Sequence, residues 1–396
     1  MNGIHLRTVL LAAAALFCLL SSVSHSRAEP GVSDAGVFDD RIVFGQSAAF
    51  KGPAAALGLG MREGILAAFR EINEAGGIDG RRLELVSYND GYEPETAIAN
   101  THRLIEEDKV FALIGEVGTP TSKAVQPIAT ERGIPFLGPF TGAAFLRDPA
   151  LDNVINVRAS YDQETEAWIE HLTGDLGFTR IAILYQDDSF GRAGLKGVRD
   201  ALTRRHMDLV AEGTYMRNTT AVKRALLAIR KSRPEAVVMV GAYKPCATFI
   251  RVARQIALHA AFVNISFVGS KALSQELGPA GEGVIVTQVV PLPEDSRIPL
   301  VARYQCALHA VDQDVEPGFV SLEGYIVGRL VIEALDRLDG PVTRESLLST
   351  IKEVGDFDLD GVALSYGPDD NQGMDRVFLT VIQADGSFEA VDHLGM

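Results

Sequence analysis

The chain has 396 residues, 47% of them hydrophobic and 22% charged, which is ordinary globular usage and enough length for two domains with sizeable cores. Lys and Arg number 37 against 52 Asp and Glu, and the net charge of −15 repels phosphate backbones and anionic lipid, arguing against nucleic-acid or membrane-surface binding.

His5 and Arg7 precede an apolar run from Val9 to Leu20, about a dozen residues and too short for a hydrocarbon core of roughly 30 Å. The small residues Ser26 and Ala28 flank Arg27 as a signal peptidase requires, so residues 1–28 read as a signal peptide and Glu29 as the first exported residue. Cys18 lies inside the apolar run behind Phe17, which does not suit lipid attachment. No later stretch is apolar enough to span a bilayer, so the expectation is a protein released into the periplasm without membrane insertion. Cys246 and Cys306 remain after cleavage, as one bridge or two free thiols.

Strand and helix signals then alternate. Arg41 to Gln46 reads as a strand, the segment ending at Ala75 as a helix, and Arg82 to Tyr88 as a strand. Helices over 95–108 and 121–132 separate strands over 110–114 and 134–137. After an extended run over 154–157 the rhythm restarts, with helices over 163–176, 194–205, 220–232 and 246–258. Between them fall strands over 180–185, 209–215 and 236–240, then 265–268 and 283–289. The strands are almost wholly apolar, as in parallel sheets covered on both faces. Helices follow over 299–311, 321–338 and 344–352, the last opened by Thr343. Extended runs at 361–366 and 376–382, with a tight turn at Asp385-Gly386, suggest a hairpin added to one sheet. The fold class is α/β with two Rossmann-like lobes.

The residues that carry a family likeness are the strand Ile42 to Gln46 with Gly52-Pro53, the segment from Glu71 to Ile78, Leu113-Ile-Gly115, Gly133 to Phe136, and Ile181 to Tyr185 with Phe190-Gly191. Together, from about Arg41 to about Asp385, they resemble the type I periplasmic binding proteins of branched-chain amino-acid uptake. The resemblance implies two lobes joined by three crossovers, near residues 157–160, 287–291 and 359–362. One lobe would comprise residues 40–158 and 288–359, the other 159–287 and 360–396. It also implies a small-molecule solute held between the lobes and ABC permease subunits as partners in the membrane, with no cofactor.

Open α/β sheets bind ligands at the carboxyl ends of their strands, where helix N-termini present unpaired N–H groups. The loop from Gly115 to Ser122 meets that description, and its Thr119 and Thr121 are candidates for a ligand carboxylate, with Thr119 as an ordinary N-cap the plainer alternative. The resembling family has a carboxylate-binding serine where Thr119 stands. Phe140 and Thr141 follow the next strand and match a loop that in the family contacts the ligand's amino group and carboxylate; a simple turn around Pro139 and Gly142 is the alternative. Phe50, Phe190 and Tyr243 also follow strands and are candidate apolar walls, the last two matching tyrosines of the family's cleft, against a packed core aromatic as the alternative. Asp187 and Asp188 begin the loop of Phe190, and Asp188 is a candidate partner for a ligand cation or else a solvated loop acid. Lys271 stands where the family places a glutamate that neutralises the ligand's ammonium. Either the solute carries a further acidic group or Lys271 points elsewhere.

Enzymatic function finds no support in the sequence. His102, His171, His206, His259, His309 and His393 form no i, i+4 pair, and the glycines at 58–64 and 318–324 miss the dinucleotide and nucleophile-elbow patterns. Asp369 to Gly373 lacks calcium-loop spacing. The sequence therefore points to a solute receptor of an ABC importer, with a ligand sensor serving a membrane signalling protein as the alternative.

Overall fold

The computed structural model describes residues 34–311 and 313–395. The expected signal peptide lies outside them. The first sheet is built by β1 (Arg41–Ala48), β2 (Arg82–Asn89), β3 (Ala112–Ile114), β4 (Phe136–Leu137) and β5 (Val154–Ile155). It is parallel in the order β2-β1-β3-β4-β5. Its crossover helices are α1 (Ala55–Glu74), α2 (Pro94–Glu106) and α3 (Thr119–Glu131). The order reverses at β1 and β3, which opens a crevice at their carboxyl ends.

The chain passes through residues 156–160 into α4 (Tyr161–Gly174) and a second sheet of β6 (Ile181–Gln186), β7 (Ala211–Tyr215), β8 (Ala236–Val240), β9 (Ala261–Asn264) and β10 (Ile285–Gln288). These alternate with α5 (Ser189–Thr203), α6 (Lys223–Lys231), α7 (Tyr243–Gln255) and α8 (Ser270–Leu277). Residues 289–298 lead back to α9 (Pro299–Val311) and α10 (Phe319–Asp336), both packed on α1, and then to α11 (Arg344–Val354). A ribbon of β11 (Asp356–Leu359) and β12 (Val362–Ser365) precedes the last crossing, after which β13 (Phe378–Ile382) and β14 (Phe388–Val391) join the second sheet. That sheet has the order β14-β13-β10-β9-β8-β6-β7, with β13 and β14 antiparallel. Its own order reverses between β6 and β8.

All five residues of β8 and seven of the eight in β1 are buried, as the continuous apolar strands require. Three details differ from the sequence reading. The extended run over 265–268 is a 3-10 turn, Ser266–Val268, and the strand precedes it, because Gly269 at φ 79° closes that turn before α8. The run at 361–366 pairs with β11 rather than with 376–382, and the hairpin at Asp385-Gly386 is β13 with β14. Helices α3, α5 and α7 begin two to five residues earlier than apolar periodicity indicates, since their first turns face the crevice and carry polar or aromatic residues. Among the described residues no helix is long and apolar enough to cross a membrane. Cys246 is buried and Cys306 exposed, both as free thiols.

Helices α1 and α10 pack with backbone almost in contact, which glycine permits. A methyl group on Gly64 would overlap the Ser321 carbonyl oxygen, and one on Gly324 would overlap that of Met61. Gly64→Ala is therefore expected to lower stability by about 3 kcal/mol through overpacking, read as a lower urea midpoint at unchanged slope. An unaltered midpoint would show that the two helices can separate without cost.

Candidate functional site

The carboxyl ends of both sheets face one another, and three hydroxyl groups meet there. Strand β3 ends at Ile114, and the left-handed Gly115 and Gly118 turn the chain into α3. The neighbouring loop is tied to this one by Phe140 N donating to the Glu116 carbonyl (2.7 Å) and Gly118 N to the Phe140 carbonyl (3.2 Å). Thr119 Oγ1 consequently lies 2.7 Å from Thr141 Oγ1, and both residues are buried. The Tyr161 phenol, at the start of α4, is buried beside them with no aligned partner of its own, and burial raises its pKa so that it stays a donor. Three hydroxyls beside the free N–H groups of a helix start form a carboxylate-sized polar patch. Thr121 does not join it: its Oγ1 donates to the carbonyls of Val117 (2.6 Å) and Gly118 (3.0 Å), fastening the loop instead.

Next to this patch is a buried aromatic group. The ring of Phe267 lies 4.5 Å from that of Phe190, 5.3 Å from Phe140 and 6.1 Å from Tyr92, while Tyr161 meets Phe190 at 5.5 Å. Tyr92 and Phe140 come from loops of the first sheet, Phe190 from the first turn of α5 and Phe267 from the 3-10 turn after β9, both on the second. The group thus joins the two halves. Phe50 stands apart, half-buried beneath the Arg62 guanidinium at 4.3 Å. Tyr243 opens α7, and its hydroxyl accepts from Ala56 N at 3.4 Å across the cleft. Asp188 caps α5 through Phe190 N (3.0 Å) and receives Gln186 Nε2 (2.7 Å) and Arg217 Nη1 (3.2 Å), so its charge is already engaged. Lys271 pairs with Glu316, Nζ to Oε2 at 3.1 Å and to the carbonyl at 2.7 Å, and lines a cavity of about 290 Å³ beside α1 and the residues leading into α10.

Several participants had no sequence signal. Arg158, in the segment passing from β5 to α4, is 1% exposed; its Nε lies 3.0 Å from Glu323 Oε1 on α10, and its Nη2 donates to Glu323 Oε2 (3.1 Å) and to Ser266 Oγ (3.0 Å) after β9. Its guanidinium also covers the Phe140 ring at 4.4 Å. Glu164 holds Ser266 in turn, accepting from its N and its Oγ, each at 2.8 Å. Burial pushes the Glu164 and Glu323 carboxyls up, and Arg158 is the main charge opposing that. An arginine enclosed by structure can be recognised only once its partners, far away in sequence, are folded around it. At the mouth, Arg217 Nη2 and Asn218 Nδ2 reach Glu93 at 2.8 and 2.7 Å, so the two halves are in contact at both floor and rim.

Behind the Thr119 loop are two buried acids. Asp90 accepts from Tyr92 N (2.7 Å) and Ser47 Oγ (3.1 Å), and burial lifts its carboxyl to about 6. Burial raises Glu116 well above the usual range, and neither of its oxygens has an aligned partner. The unfolded chain releases the Asp90 proton near the ordinary value of 3.8, whereas the folded protein keeps it until about pH 6. Stability should therefore fall as pH rises between those values, and Glu116 adds a slope of the same sign. Asp90→Asn is expected to remove part of this pH dependence, and Asp90→Asn with Glu116→Gln the rest, in urea midpoints taken from pH 4 to about 7. A wild-type midpoint that rises over that interval would contradict the assignment.

Comparison with known proteins agrees with this architecture. Residues 41–387 match the periplasmic binding protein family. An amino acid binding protein of Pseudomonas aeruginosa is 24% identical over 62% of this chain and 66% of its own length, and the leucine-specific-binding protein of Salmonella typhimurium is 23% identical over 84% and 87%. The solved structure of a possible leucine/isoleucine/valine-binding protein from Rhodopirellula baltica SH 1 is 40% identical, with a TM-score of 0.84 over 92% of this chain and 98% of that one. Two facing sheets, one parallel and one parallel but for β13 and β14, joined by three crossings with strand carboxyl ends turned toward a common cleft, together with these matches, place the chain in the type I periplasmic binding proteins of the branched-chain amino-acid group.

Proposed function

We propose that the protein is the periplasmic solute receptor of an ABC importer and that it clamps an amino acid or related carboxylate between its lobes. The observation that carries this reading is the convergence of the Thr119, Thr141 and Tyr161 hydroxyls at the start of α3. The ligand's carboxylate replaces the Thr119–Thr141 hydrogen bond, and its side chain enters the aromatic group of Phe140, Phe190 and Tyr92. Phe267 occupies that space and must give way. Tyr243 closes the opposite wall. The similarity to leucine-binding relatives makes branched-chain amino acids the first solutes to try.

Phe50, Thr121, Asp188 and Lys271 frame this space rather than fill it. Thr121 and Asp188 hold loops, and Phe50 backs the cleft from beneath Arg62. A second acidic group on the solute would reach Lys271 by displacing Glu316, an exchange of one carboxylate for another. The residues 40–158 with 288–359, and 159–287 with 360–396, act as the two jaws; a bound solute bridges them and stabilises the closed pair that the permease subunits recognise.

A calorimetric screen of branched-chain and aromatic amino acids, dicarboxylates and simple carboxylic acids should yield one class that binds. Thr119→Ala and Tyr243→Ala should each weaken that ligand by about tenfold or more without lowering the melting temperature of the unliganded protein, as expected for loss of a hydrogen bond to a charged group and of a pocket wall. Full affinity in both variants would refute the site.

A further inference from the structure

Far from the cleft, three side chains with metal-binding atoms come together on the second lobe. His171 and Asp175 sit one turn apart at the end of α4, and His393 follows β14. His171 Nδ1 lies 2.7 Å from Asp175 Oδ2, and His393 Nδ1 lies 3.3 Å from Asp175 Oδ1. One donor atom from each of the three falls within 4.8 Å of the other two. Leu394 N also donates to Asp175 Oδ2 at 2.8 Å, so the backbone itself holds the segment that presents His393. The imidazoles meet edge-on, centroids 6.2 Å apart and planes at 66°, and both turn Nδ1 toward the same carboxylate.

We propose that His171, Asp175 and His393 form a zinc-binding site that fastens the segment after β14 to the end of α4. Two imidazole nitrogens and one carboxylate oxygen are a donor set that zinc accepts, with water completing the tetrahedron. Calcium and magnesium require mainly oxygen ligands and find too few here. Tetrahedral zinc brings its donors to about 3.3 Å of one another, which follows from bond lengths of roughly 2.0–2.2 Å. The necessary contraction is small, and His393, whose side chain is 81% exposed, is free to make it. Nothing in this arrangement depends on the solute reading of the cleft.

The test is a zinc titration of the purified chain without a polyhistidine tag. One zinc per chain should bind, with His393→Ala and Asp175→Asn each lowering the affinity by about tenfold or more, His259→Ala leaving it unchanged, and magnesium giving no binding. X-ray absorption of the zinc-loaded protein should show nitrogen and oxygen donors at about 2.0–2.1 Å. Circular dichroism on each variant separates loss of a ligand from loss of fold. Absence of stoichiometric zinc binding, or wild-type zinc affinity in both His393→Ala and Asp175→Asn, would overturn the proposal and leave the three residues as a hydrogen-bonded cluster only.

Discussion

The closed arrangement of the two halves depends on a positive charge that has nowhere else to go. Arg158 lies on the first passage between the sheets, enclosed by both, where Glu323 of α10 pairs with it and Ser266 of the turn after β9 accepts from its Nη2. Taking Glu323 away removes the acid paired with this buried charge, a change that typically costs about 3–5 kcal/mol. Glu164 extends the network by gripping Ser266 from behind, so the floor of the cleft is set by electrostatics before any solute is considered. Apolar contact alone would permit the jaws many relative angles; paired and aligned charges permit few.

Around that floor, the site is a product of topology. The strand order of each sheet reverses at one place, and the segments leaving β3, β6 and β8 beside those reversals supply Thr119, Phe190 and Tyr243, with Thr141 following the next strand, β4. The same loops become helix starts, which is why hydroxyls and N–H groups rather than side-chain cations line the polar patch. With Asp188 spent on capping α5 and binding Arg217, and Lys271 balanced by Glu316, charged groups near the cleft are mostly compensated within the protein. On the proposed reading of the site, recognition would then fall to neutral donors and aromatic faces.

The strand and helix rhythm was readable because buried parallel strands leave long apolar runs and amphipathic helices leave their own period. Thr119 and Thr141 were readable for a related reason, as polar residues immediately after such runs. The limits are equally physical. Strand 261–264 and the 3-10 turn behind it share one apolar stretch, so composition could not divide them, and only Gly269 marks the end. Thr121 and Asp188 belong to residue types that serve a ligand or a helix cap equally well, and only the folded chain shows that their hydrogen bonds go to the backbone of their own loops. Tyr92, Arg158 and Phe267 acquire meaning only from partners as much as 175 positions away, as with Tyr92 and Phe267, and no local pattern encodes such distances.

The ring of Phe267 has a thermodynamic corollary. Since it contacts aromatic side chains from both halves, the protein carries a built-in occupant of its own binding space, tethered through the backbone and therefore always present at high local concentration. An incoming solute competes with that tethered guest, and the affinity observed is the intrinsic one multiplied by the fraction of molecules whose ring has swung clear. On the proposed reading of the site selectivity would follow as well: a solute would have to offer the cage more than a phenyl group already does, and weakly apolar metabolites would be rejected by a residue that never needs to touch them.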